Sequence, residues 1–274
     1  GGLTYEADEK HRTRVMEYFG FGEGSRQLAV NGDKEEKVED EDFEDLDKVE
    51  AKVFRGLAAT LNFLSLDSPD LQFPIKQCSR DMGTPKRGSF KGLKKMARYL
   101  VGRKRVVWNF AWQDEQKFAQ VFSDSDWGGT SKDRRSTSGG VWMLGGHCIK
   151  TWSSTQGAYA LSSAEAELYG MVEATTRAKG LRNLAWELGF RDLANVVQLG
   201  TDSSAAKSFV NRRGLGRMRH LEIRDLWLQK EVADGKLEVS KVAGDKNPAD
   251  LMTKILSKAE VVARLCWLNL DFHS

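Results

Sequence analysis

One short stretch holds residues that could do chemistry together: Phe122-Ser123-Asp124-Ser125-Asp126-Trp127. It reads as a strand over Gln120 to Trp127, and a strand puts residues two apart on the same face. Asp124 and Asp126 therefore share one side, and alternation alone does not choose between them. Carboxylates on a strand that helps to build a core are costly unless something cationic meets them. Three later acids, Glu167, Asp202 and Asp250, fall where a fold could carry them to this strand. Four converging carboxylates repel one another until a cation arrives, and hard, oxygen-only ligands select Mg²⁺ or Mn²⁺ over zinc. Two such ions about 4 Å apart can activate a water and stabilise the departing oxygen of a phosphodiester. No side-chain nucleophile is then required, and the sequence offers no Ser-His-Asp or Cys-His arrangement that argues for one.

The elements that must position these acids are legible around them. Three sequential antiparallel strands are expected: the Asp124 strand, then Val141 to Leu144 and Cys148 to Trp152, joined by Gly145-Gly146, a pair suited to a tight hairpin. A long helix follows from Ser162 to Gly189, with Leu168, Met171, Val172, Thr175, Leu181, Leu184 and Leu188 as its buried stripe. Next come a strand (196–201), a short helix (203–210), a basic loop (212–220), a helix (221–233), a strand (237–242) and a helix beginning at Asn247. This order gives an α/β fold, a mixed five-stranded sheet flanked by helices. Trp142, Trp152, Trp186 and Trp227 are core residues by position.

Each later acid also has an ordinary explanation. Ser162-Ser163-Ala164-Glu165 is a capping box, which occupies Glu165 with the helix's own first N–H groups. Glu167 lies two residues on, about 200° around the helix, and cannot share that task. Asp202, in Thr201-Asp202-Ser203-Ser204, is placed as a helix cap. Asp250, in Asn247-Pro248-Ala249-Asp250, suits the positive end of a helix dipole. Only the joint pattern favours a metal site.

Ahead of these elements, residues 51–102 carry helical periodicity through Val53, Leu57, Leu61 and Leu64, and again through Leu93, Met96, Ala97 and Leu100. The chain's net charge of +3 hides an asymmetry: residues 33–50 hold 11 acids against 3 lysines, a local −8 that leaves +11 elsewhere. A basic body with one acidic segment suits a nucleic-acid binder carrying a solvated linker. Three widely spaced cysteines, Cys78, Cys148 and Cys266, argue for a reducing compartment and against a disulfide framework or a zinc site. No apolar run approaches the ~20 residues that span a bilayer. The opening Gly1-Gly2-Leu3 contains no Met, from which a piece cut from something longer is expected.

With these residues assembled, the sequence resembles the ribonuclease H domain of copia-type retroelement polyproteins. The matching blocks are SDSDWGG (123–129), RRSTSGGVWMLGG (134–146), IKTWSSTQ (149–156), ALSSAEAELYG (160–170), TDSSAA (201–206), GRMRHLEIRDLWLQ (216–229) and NPADLMTK (247–254). Residues 54–102, with SPDLQF and LKKMARYLVG, resemble the connection that follows the reverse transcriptase. Residues 31–50 read as an acidic linker by their charge, and the resemblance implies a remnant of the polymerase thumb at 1–30. It further implies a helical connection or small helical subdomain at 51–118, the ribonuclease H-like domain at 119–257 and a C-terminal helix or tail at 258–274. It puts metal-binding and catalytic roles on Asp124, Glu167, Asp202 and Asp250, preferring Asp124 over Asp126 and Glu167 over Glu165. The implied activity is endonucleolytic cutting of the RNA strand in an RNA–DNA hybrid with two Mg²⁺ or Mn²⁺ ions. The implied partners are the hybrid and the reverse-transcriptase portion of the same polyprotein, in a retroelement particle in the cytoplasm or in the nucleus rather than in a secretory compartment or membrane.

Arg134, Arg135, Arg212, Arg213, Arg217 and Arg219 are the candidates for backbone contacts, which give salt-sensitive binding with little base preference. One departure stands out. Many ribonucleases H carry a mobile histidine just before the final aspartate, and Val242-Ala243-Gly244-Asp245-Lys246 has none. His220 is a candidate substitute, and equally a candidate phosphate contact. The rival readings are another nuclease on the same superfold and an inactive hybrid-binding scaffold. The acid order Asp, Glu, Asp, Asp favours ribonuclease H over integrase-type enzymes, and the presence of all four acids argues against decay.

Overall fold

The computed structural model describes residues 1–22, 24–27, 39–103, 105–116, 118–129, 133–191, 196–214 and 223–272. The chain divides into two units: Gly1–Leu3, Phe110–Lys254 and Trp267–Asn269 form one, and Thr4–Asn109, Ile255–Cys266 and Leu270–Ser274 the other. Strand β1 (Gly2–Glu6) precedes helices α1 (Glu9–Tyr18), α2 (Lys48–Ser65), α3 (Pro69–Ser79) and α4 (Arg87–Val101), and strand β2 (Val106–Ala111) follows them. Helix α2 starts where Asp47 accepts hydrogen bonds from the Val49 and Glu50 N–H groups, satisfying donors that a helix start leaves open. Phe54, Leu57, Leu61 and Leu64 on α2 pack with Leu93, Met96, Ala97 and Leu100 on α4 and with Val15 and Met16 on α1. Within the segment read as an acidic linker, Asp40–Phe43 forms a 3-10 turn, and Asp42 meets Lys91 of α4 at 2.7 Å.

The other unit is built on strands β3 (Phe118–Asp126), β4 (Thr137–Leu144), β5 (His147–Thr155), β6 (Val196–Thr201) and β7 (Leu237–Lys241), with helices α5 (Ser163–Glu187), α6 (Ser204–Val210) and α7 (Ile223–Ala233). The sheet order is β5-β4-β3-β6-β7. Strands β3, β4 and β5 run antiparallel in sequence, and β6 and β7 join in parallel on the far side of β3. This is the expected ribonuclease H-like mixed sheet with flanking helices. Strand β3 lies at its centre, where both faces are covered and buried residues run consecutively from Val121 to Asp124. Asp124 stands opposite Gly139 of β4. A Cβ on Gly139 would lie 2.5 Å from the Met252 Cβ, and one on Gly140 would lie 2.0 Å from the Trp152 ring. Neighbouring strand residues face opposite sides, so this glycine pair clears room on both faces of β4.

Helix α5 departs from the expected stripe near its end. Leu168, Met171, Ala174, Thr175 and Ala178 are buried, whereas Leu184, Trp186 and Leu188 are exposed. The cause is length: a 25-residue helix runs about 37 Å, whereas strands of 5 to 9 residues reach about 17–30 Å. The last turns of α5 therefore outrun the sheet they cover. Trp142 and Trp152 are buried as expected.

The sequence reading has no strand before Gln120, and two are present. Strand β2 pairs antiparallel with β8 (Leu270–Phe272), which follows helix α8 (Lys258–Trp267), in a three-stranded sheet of order β1-β2-β8. Asp70 on α3 is 4% exposed and accepts hydrogen bonds from the Tyr99 hydroxyl at 2.7 Å and from Arg103 at 2.5 Å. Among the described residues, no helix is long and apolar enough to cross a membrane.

Candidate active site

Strand β3 delivers Asp124 to the interior, 1% exposed. The hydroxyl of Thr253 donates to its Oδ2. Asp126 goes elsewhere: it is half-buried at the strand end, and a Cβ on Gly129 would run into its carboxylate. Helix α5 supplies Glu167, whose Oε1 accepts the Ser125 N–H at 3.2 Å. Its Oε2 is buried and has no hydrogen-bond partner among the described residues. Glu165 is occupied at the helix start, but with other partners than the capping box names: it accepts the Leu161 N–H, one residue before the Ser162 cap, at 3.0 Å and the Tyr169 hydroxyl at 2.6 Å. Asp202 follows β6, and its ordinary alternative as a helix cap does not hold. The α6 cap is Ser203, whose hydroxyl accepts the Ala206 N–H at 3.2 Å, so the Asp202 carboxylate is not spent on the helix. One oxygen each from Asp124, Glu167 and Asp202 lies within 4.8 Å of the others.

Asp250 is positioned differently. Residues Pro248–Met252 form a 3-10 turn rather than the expected α-helix. Asn247 caps it by accepting the Ala249 N–H at 3.1 Å, and its own amide donates to the Ser123 carbonyl at 2.9 Å. That second bond ties the turn to β3 beside Asp124. Asp250 is buried, 4% exposed, but stands outside the group of three. Lys254 links it to them: the ammonium lies 2.6 Å from Asp250 Oδ1 and 3.3 Å from Asp124 Oδ2. The sequence reading missed this lysine. Its signals were the i, i+4 spacing from Asp250 and the demand of a core-strand aspartate for a cation.

The electrostatics follow the geometry. Burial pushes Asp124 up to about 6, against the pull of Lys254 and the Thr253 hydroxyl. Burial, then the charges of Asp124 and Asp202, push Glu167 up to about 8. Burial opposes the charge on Lys254, but Asp124 and Asp250 outweigh it and raise its pKa. An oxygen-only donor set with one buried, unpartnered carboxylate oxygen fits a hard divalent cation. Asp124, Glu167 and Asp202 are the residues that could hold it.

Among the described residues, the candidate backbone contacts lie on two segments, before β4 and after α6. Arg134 is exposed in a left-handed conformation (φ 53°) with its guanidinium over Gly128. Arg135 lies over the Tyr159 ring at 5.2 Å. Arg212 lies over Phe209 at 4.8 Å just beyond α6, and Arg213 beside it is exposed. Arg217, Arg219 and His220 lie outside the described residues.

No family model matches the chain. The retrovirus-related Pol polyprotein from transposon RE1 of Arabidopsis thaliana is 29% identical over 205 residues, which are 75% of this chain. The chain spans 14% of the length of that polyprotein. Among solved structures, ribonuclease H1 from the archaeon Halobacterium salinarum aligns at 16% identity over 49% of this chain and 93% of its own, with a TM-score of 0.35. A foamy viral protease-reverse transcriptase in complex with double-stranded DNA aligns at 12% identity over 86% of this chain and 42% of its own, with a TM-score of 0.46. The chain is thus similar over three quarters of its length to retrovirus-related Pol polyproteins of transposons, and its five-stranded unit has the ribonuclease H-like mixed sheet with flanking helices expected from the sequence.

Proposed function

We propose that the protein is the ribonuclease H of a copia-type retroelement, hydrolysing the RNA strand of RNA–DNA hybrids with divalent ions. The observation that carries this reading is the meeting of Asp124, Glu167 and Asp202 around a buried carboxylate oxygen that has no hydrogen-bond partner among the described residues. A bound ion would acidify a water and stabilise the departing oxygen of the phosphodiester. The chain's own residues prepare that chemistry. The Ser125 N–H aims Glu167, the Thr253 hydroxyl aims Asp124, and the Asn247 amide fixes the turn that bears Asp250. Asp250 is the fourth carboxylate of this proposal and, with Asp124, would hold a second ion.

Telling a hybrid from duplex DNA requires contact with ribose 2′-hydroxyls on one strand and phosphates on the other. Arg134, Arg135, Arg212 and Arg213, with Arg217, Arg219 and His220, are proposed to hold the backbone. In the same reading, residues 119–257 carry the nuclease and 51–118 connect it to the reverse-transcriptase portion of the polyprotein. The test is incubation of the full chain with labelled hybrid, duplex RNA and duplex DNA, with and without Mg²⁺. Hybrid-only, Mg²⁺-dependent cutting is expected, and cutting that persists in a chelator would overturn the proposal.

A further inference from the structure

The carboxylate cluster already contains a cation supplied by the chain, and that cation is placed asymmetrically. Lys254 touches Asp250 at 2.6 Å and Asp124 at 3.3 Å. Among the described residues no basic side chain is paired with Glu167 or Asp202, and the Glu167 Oε2 has no hydrogen-bond partner there. One half of the cluster is thus neutralised from within and the other half is not.

We propose that Lys254 is a built-in counter-ion holding the Asp124–Asp250 half, so that the free protein takes up one divalent ion, at Asp124, Glu167 and Asp202, and a second only when the ammonium is drawn away. The inference rests on the metal-site reading above. Three observations support it. Asp124 and Asp250 are both almost fully buried, so each strongly requires a nearby positive charge. The lysine is fixed one helical turn beyond Asp250, at the i, i+4 spacing that brings its head to that carboxylate. Its side chain is nonetheless 43% exposed, and a flexible four-carbon stem allows the ammonium to leave for another anion. A phosphate of a bound nucleic-acid backbone is such an anion. Lys254 would then make loading of the second ion depend on substrate, and protect two buried acids from repulsion when none is bound.

Counting bound Mn²⁺ on the full chain by the electron paramagnetic resonance of the free ion tests this without reference to activity. Wild type is expected to bind one Mn²⁺ per chain, Lys254→Met two, and Lys254→Arg, which keeps the charge, one. Lys254→Gln serves in place of Lys254→Met if that variant does not fold, and the wild-type count needs no variant at all. Two ions on wild type, or one on the neutral variants, would overturn the counter-ion role and leave the metal site standing. No bound ion on any of them would overturn both.

Discussion

The amide of Asn247 donates to the backbone carbonyl of Ser123 at 2.9 Å, tying the residue before Asp124 to the residue that caps the turn carrying Asp250. Asn247 is fully buried, and the same side chain accepts the Ala249 N–H. One amide thus satisfies a buried carbonyl and a buried N–H, and no other side-chain type does both without cost. Asn247→Ala leaves both groups unpaired and is expected to lower stability by about 1–3 kcal/mol. Asn247→Asp keeps the acceptor but loses the donor and adds charge beside two acids. Urea unfolding of the two variants measures the effect, and midpoints equal to wild type would remove the bond from the account.

A pair of glycine substitutions should have opposite signs. Gly139→Ala puts a Cβ 2.5 Å from Met252 and 2.6 Å from Thr253, so the turn bearing Asp250 must move off β4. Overpacking of this kind costs about 1–3 kcal/mol. Gly180 lies in α5 with nothing within 4 Å of an added Cβ. There Ala restricts the unfolded chain and favours the helix, a gain of about 0.5–1 kcal/mol. Melting temperatures of both variants decide the matter, and a stabilising Gly139→Ala would contradict the close approach.

The buried ion pair of the helical unit makes a separate prediction. Asp70 and Arg103 are 4% and 5% exposed, and the Arg103 guanidinium lies within 5.6 Å of the Tyr99 and Phe272 ring centroids. Removing one partner strands a buried charge, so Asp70→Ala is expected to cost about 3–5 kcal/mol. Replacing both partners with Leu and Met should cost far less, because no unpaired charge remains. Denaturant titrations of the single and double variants separate these outcomes; a double variant as unstable as Asp70→Ala would refute the argument.

What could be read from the sequence, and what could not, divides along the range of the interaction. The β3–β7 sheet was legible because its strands are short, β-rich runs separated by strong turn signals, and Glu165 was separable from Glu167 by a local capping rule. For Asp202 the ordinary alternative of a cap could not be dismissed locally, because Ser203, one residue on, offers the same role and propensity does not rank adjacent candidates. Leu184 and Leu188 kept the period of a buried stripe, but period does not report where the sheet beneath ends. Strand β2 was missed because its partner β8 lies at the far end of the chain and is three residues long. Lys254 was invisible for a related reason: its contact with Asp124 spans 130 residues, and only the folded turn brings the two together.

The protonation state of Glu167 yields the sharpest test of the site. Its folded pKa stands at about 8, against about 4.3 for an exposed glutamate. Below the unfolded value both states are protonated and folding is unaffected. As pH rises past it, the unfolded chain loses its proton while the folded chain keeps it, so the folded state binds more protons and stability falls with pH. That loss accumulates until the folded group ionises, near pH 8, and Asp124, at about 6, adds a smaller loss of the same sign at lower pH. In a chelator the melting temperature of wild type should therefore fall between pH 5 and pH 8 by more than that of Glu167→Gln, which has no proton to lose. A saturating divalent ion should remove most of the difference, because it binds only the ionised carboxylates of the folded state and stabilises in proportion to its occupancy. Hybrid cleavage should be abolished in Glu167→Gln while hybrid binding persists. Parallel pH profiles for the two proteins in chelator would mean that Glu167 does not carry the buried charge assigned to it.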